Sequence, residues 1–183
     1  MCPMTTTSDS RPSAAAAVGV DVAAVLRQDP FDLAAPLAAL SRDDLELMSG
    51  AGAEVVVAAT QRLTNALAAI QTAAVTTFAD RADEDLERYR RERREDFEER
   101  RSSAQAAGRE FTERWHPIPG EGSFAAAALA PLLRVSPRTM ATRVRRARRM
   151  DHEMPATWDA ARAGDLEPYR ADAVVRAGEL LEV

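Results

Sequence analysis

Leu132-Leu133-Arg134-Val135-Ser136-Pro137-Arg138-Thr139-Met140 is the stretch that decides the fold. Ser136 carries the short hydroxyl of a helix N-cap. Pro137 suits the first helical position, where its missing N–H and fixed φ cost nothing. A helix therefore starts at Pro137 and runs to about Met150. Upstream, Ser123 caps an alanine-rich helix from about Phe124 to Leu133, with Pro131 set to kink or shorten its end. Two helices joined by so short a turn form a helix-turn-helix-like pair. Ala130, Leu133, Val135, Met140 and Val144 fall where such a pair packs together, although Arg134 takes the turn position where glycine is usual.

Helical spacing of about 100° per residue sorts the second helix into faces. Met140, Val144 and Ala147 cluster on the side expected to meet the core. Arg138, Thr142, Arg145 and Arg149 fall in a narrow arc opposite, flanked by Arg143, Arg146 and Arg148, and no acid follows until Asp151. Guanidinium forks match phosphate oxygens and guanine edges, so this face suits a DNA groove. The candidate DNA-contacting residues are Arg138, Thr142, Arg143, Arg145, Arg146 and Arg149. The competing reading is a solvated helix face, since the macrodipole favours arginine near a helix C-terminus. Seven arginines from Arg134 to Arg149 without one acid exceed what solvation requires.

Composition sets the frame for this motif. A chain of 183 residues, 46% hydrophobic and 29% charged, has enough apolar material for one domain of ordinary size. Alanine is about a fifth of the residues and aromatics only 5%, which predicts an all-α fold with a small-residue core. All 24 basic residues are arginine. The formal net charge of -5 excludes a protein that coats nucleic acid with its whole surface, but not one with a local basic face. Charge is uneven along the chain: residues 80–115 carry twelve acids and ten arginines, whereas seven arginines crowd into Arg134–Arg149.

The remaining chain divides into four parts. Residues 1–40 mix Thr, Ser, Pro and Ala and read as a flexible arm with one short helical turn around Val22–Arg27. Residues 41–115 form a long helical region. Ser41-Arg42-Asp43-Asp44 has the form of a capped helix start, which Gly50 and Gly52 interrupt. A long helix then runs from about Glu54 to beyond Arg100. Leu63, Leu67, Ile70, Ala74 and Phe78 share one face of it. Its second half is charged, with favourable pairs such as Glu84/Arg88, Glu87/Arg91 and Asp96/Arg100, and reads as solvated. Residues 116–122 are a linker, and residues 123–183 are the helix-turn-helix-like region, with a short helix ended by Gly164 and a last helix from Pro168.

Catalytic signals are missing from the sequence. Cys2 is the one cysteine, which precludes an internal disulfide or a thiolate metal site and fits a reducing cytoplasm. No Gly-rich phosphate loop or Gly-x-Ser-x-Gly elbow occurs. His152-Glu153 begins like a zinc-protease helix, but Ala156 stands where the second histidine is needed, and His116 lies isolated in the linker. No cofactor or metal is expected, and no span suits a membrane.

The succession Ala-Leu-Ala-Pro-Leu-Leu-Arg-Val-Ser-Pro-Arg-Thr-Met, then Arg-Arg-Ala-Arg-Arg-Met, then Met-Pro-Ala-Thr-Trp-Asp-Ala-Ala-Arg-Ala-Gly-Asp-Leu resembles the actinobacterial domain of unknown function 222. The match spans about Phe124 to Ala177. Members of that family typically precede an HNH endonuclease module. The resemblance implies the N-terminal DNA-binding or accessory region of an HNH-endonuclease-like protein. An HNH site needs histidine as base and metal ligand with more His or Asn nearby. His116 and His152 alone do not supply it, and the close on Leu180-Leu181-Glu182-Val183 reads as a cut chain. The rival expectation is a non-enzymatic interaction module forming a homodimer through the long helix, or a decayed frame.

Overall fold

In the computed structural model of the chain, residues 22–116 and 123–181 are described. Residues 1–21 of the expected arm and 117–122 of the expected linker lie outside them. The described residues hold eight α-helices and no strand, so the fold is all-α. In order these are α1 (Val22–Val25), a 3-10 turn at Pro30–Leu33, α2 (Ala34–Ala38), α3 (Arg42–Glu46), α4 (Gly50–Ala106), α5 (Ser123–Leu132), α6 (Pro137–Glu153), α7 (Pro155–Arg162) and α8 (Pro168–Leu181). They gather into two compact units. One holds residues up to Ala69 with Asp159–Pro168; the other holds Ile70–Trp158 with Tyr169–Val183.

In the second unit, α5 packs on α6 around Val75, Ala79, Ala125, Ala126, Ala130, Met140, Val144 and Ala147. Leu133 and Val135 close the edge of this cluster, so all five positions expected to join the helix pair do so. Ser136 caps α6 by accepting from the Thr139 N–H at 3.1 Å. The turn itself is left-handed. Arg134 has φ 53°, its N–H reaches the Pro131 carbonyl, and the Val135 N–H reaches that of Ala130. That is a Schellman closure with arginine in the usual glycine position, at a cost of about 1–2 kcal/mol. Pro131 stands in the last turn of α5, which ends one residue later.

The charged end of α4 is less bare than its sequence suggests. The chain reverses at Gly108 (φ 65°), and Phe97 takes Phe111 and Trp115 edge-on at 5.2 and 5.4 Å. Along the helix Arg88 pairs with Asp85 and Arg90 with Glu87, three residues back. Arg100 reaches forward to Glu113.

In the first unit, residues 22–40 are helical and packed rather than a loose arm. Val25 and Leu33 are buried with Val55 and Ala59, an apolar anchor that outweighs the polar composition around it. The Ser41/Asp44 capping box is formed, and the side-chain and backbone hydrogen bonds from Ser41 hold the Asp44 carboxyl below its usual pKa. Gly50 opens α4 instead of ending the helix before it.

The buried face of α4 is not the one its large apolar residues mark. Leu67, Ile70 and Phe78 are 52%, 46% and 40% exposed. Buried instead are Ala59, Arg62, Asn65, Ala66 and Ala69 in the first unit, and Val75, Thr76 and Ala79 in the second. Small side chains let neighbouring backbone approach closely, and the polar positions bond to that backbone. Arg62 donates to the carbonyls of Val25 (2.7 Å), Gln28 (2.8 Å) and Ala163 (2.7 Å), and lies 3.3 Å from Asp165. Asn65 donates to the Gly164 carbonyl at 2.9 Å. Gly164 ends α7 at φ 79°, where an added Cβ would stand 2.5 Å from the Arg62 carbonyl oxygen. Gly164→Ala therefore meets both a left-handed backbone and a clash. Urea unfolding should show a loss of about 2 kcal/mol or more; an unchanged midpoint contradicts this packing.

Candidate nucleic-acid interface

Helix α6 carries the arginines that the sequence singles out, and its buried side holds the expected Met140, Val144 and Ala147, with Met150 in addition. What the helix sequence alone hides is acid arriving from its neighbours. Arg148 runs to two carboxylates on α4, with Nε 2.7 Å from Asp80 and Nη2 2.6 Å from Asp83. Burial opposes the Arg148 charge, but Asp83 and Asp80 outweigh it and hold its pKa above the usual value. Arg146 meets both oxygens of Asp172 on α8, at 2.9 and 3.2 Å. Arg149 is only 13% exposed and lies 3.3 Å from Glu153; its guanidinium rests against Gly178 of α8.

The six candidate DNA-contacting residues therefore separate along the helix. Arg138 and Arg143, on the front half, are exposed and form no ion pair among the described residues. Thr142 is half-buried, and its hydroxyl donates to the Arg138 carbonyl of its own helix at 3.3 Å. Arg145 is 66% exposed with Glu179 at 3.5 Å, a long and partial pairing. Arg146 and Arg149, expected on the same open face, are turned to acids and to α8 instead. The arc is real as helix geometry, but α8 lies along its rear part.

One exposed arginine was not among those six. Arg134 stands in the turn directly before α6, exposed and without an ion pair among the described residues. The signal for it was in the sequence: an arginine in a position that favours glycine needs a reason beyond local conformation. Together Arg134, Arg138, Arg143 and Arg145 give the turn and front half of α6 a positive surface. His152 sits near the other end, 3.6 Å from Asp80 and 3.7 Å from Asp151. Among the described residues no group of three His, Cys, Asp or Glu is placed to hold a metal ion. No described helix is long and apolar enough to cross a membrane.

No family profile, curated protein or solved structure matches the chain.

The division of labour along α6 is measurable. Arg148→Met removes a half-buried charge from between two carboxylates and should cost about 1–3 kcal/mol in urea unfolding. Arg138→Met should change stability by less than about 0.5 kcal/mol. Equal effects would contradict the assignment of Arg148 to structure and Arg138 to the surface.

Proposed function

We propose that the α5–α6 pair binds duplex DNA, as the DNA-binding accessory region of an HNH-endonuclease-like protein acting in the cytoplasm. One observation carries the reading. The front half of α6 and the turn before it present Arg134, Arg138 and Arg143 with no ion pair among the described residues and Arg145 with only a long one, while the arginines behind them are consumed by structure. In helix-turn-helix readers the N-terminal residues of the second helix meet the base edges, which is the end left open here. Arg138 would face the major groove, and Arg134, Arg143 and Arg145 the phosphates on either side, where a guanidinium fork binds two oxygens at once. Arg146 and Arg149 drop out of the contact set and serve to hold α8. The family resemblance supports the same reading, with cleavage assigned to a separate HNH module rather than to these residues.

A second reading is favoured by a separate observation. Leu67, Ile70 and Phe78 remain about half exposed on α4, which suits a helical interaction module that forms a homodimer.

Fluorescence anisotropy with a labelled random duplex, across salt concentrations, tests the first reading. Two full phosphate contacts, from Arg134 and Arg143, predict log K falling against log salt with a slope of about −1.8. Arg138→Glu with Arg143→Glu should weaken binding by at least about tenfold at low salt, without loss of helicity by circular dichroism. No binding at low salt, or binding indifferent to both reversals, overturns it. Leu67→Glu should leave DNA affinity unchanged; if it instead dissociates an oligomer in a chain that binds no DNA, the second reading stands.

A further inference from the structure

Helix α8 places two carboxylates on the arginines that lie just behind the open end of α6. Asp172 grips Arg146 through both oxygens, and Glu179 stands 3.5 Å from Arg145. The two pairs differ in kind. Asp172 is also 3.2 Å from Arg176 of its own helix, and Arg146 is only 27% exposed, so this pair belongs to the packing. Glu179 holds a partner that is 66% exposed, at a distance too long for a strong hydrogen bond. Such a pair contributes little to stability and is easily exchanged for another anion. Val175 and Ala171 bury α8 at 1% and 4% exposure, so the helix stays in place whichever anion Arg145 meets.

From this geometry we infer that Glu179 is an autoinhibitory anion: it occupies Arg145 in the free protein and must yield it to a DNA phosphate. The inference rests on the DNA-binding reading and adds a brake to it. DNA approaching α6 meets Arg134, Arg138 and Arg143 without opposition, but gains Arg145 only by displacing a carboxylate. The brake lowers affinity without blocking the site, and it penalises weakly held, non-specific DNA in proportion. A phosphate that Arg145 holds in a well-fitted complex can outcompete Glu179; one that merely drifts past the helix cannot.

The test uses the whole chain and the labelled random duplex. Glu179→Gln keeps the side-chain shape and removes the charge. It should tighten binding about two- to fivefold, the worth of an exposed ion pair, and steepen the salt slope by about 0.9 as Arg145 becomes a full phosphate contact. Adding Arg145→Gln should cancel the gain, which a general change in net charge would not do. Glu98→Gln, which neutralises an exposed acid on α4, is the control and should leave affinity unchanged. Several outcomes overturn the brake while leaving the DNA reading intact: wild-type binding with no gain from Glu179→Gln, an equal gain from Glu98→Gln, or a gain that survives Arg145→Gln. Absence of binding in both wild type and Glu179→Gln overturns the DNA reading and the brake together. Binding by Glu179→Gln alone, lost again with Arg145→Gln, supports both.

Discussion

Arg148 fixes which way α6 faces. Its guanidinium lies between Asp80 and Asp83 on α4, so the helix cannot turn about its axis without separating a half-buried charge from two carboxylates. Apolar contacts alone would hold α6 less firmly, because the surfaces it meets are largely alanine and a small side chain offers little to lock a rotation. The orientation in turn decides which arginines meet solvent. With Arg148 committed to α4 and Arg146 to Asp172, the exposed charge is concentrated at the front of the helix.

The same device recurs in the other unit, with backbone in place of carboxylates. Arg62 is buried, and it joins the carbonyls of Val25, Gln28 and Ala163. Those carbonyls lie at the ends of helices or in turns, where acceptor capacity is left over; that of Val25 also takes the Gln28 N–H at 3.2 Å. One guanidinium satisfies three of them and ties residues far apart in sequence. Gly164 makes the approach possible because nothing larger fits above the Arg62 carbonyl. A chain with few aromatics and much alanine thus closes its core with arginine, whose five donors reach where apolar bulk is lacking.

How much of this could be read in advance depended on whether the cause was local. The Ser136-Pro137 start of α6, the Ser41/Asp44 box and the glycine end of α7 are short-range chemistry, and each formed where the sequence placed it. The buried side of α6 followed from spacing, because one helix face held Met140, Val144 and Ala147. On α4 the same logic failed. Leu67, Ile70 and Phe78 marked a face, but alanines around Arg62 and Asn65 offered closer packing, and those two side chains found backbone acceptors that no pattern along the helix reveals. The open arginine face was overestimated for a like reason. Helix α6 holds no acid of its own before Asp151, whereas Asp80, Asp83, Asp172 and Glu179 come from other helices.

Arginine-selective labelling with phenylglyoxal, read by mass spectrometry with and without duplex DNA, tests the central claim in one measurement. The account predicts fast modification of Arg138 and Arg143 in the free chain, strongly reduced by DNA. Arg146, Arg148 and Arg149 should react slowly in both states. Uniform reactivity along α6, or DNA protection confined to the rear arginines, would contradict it.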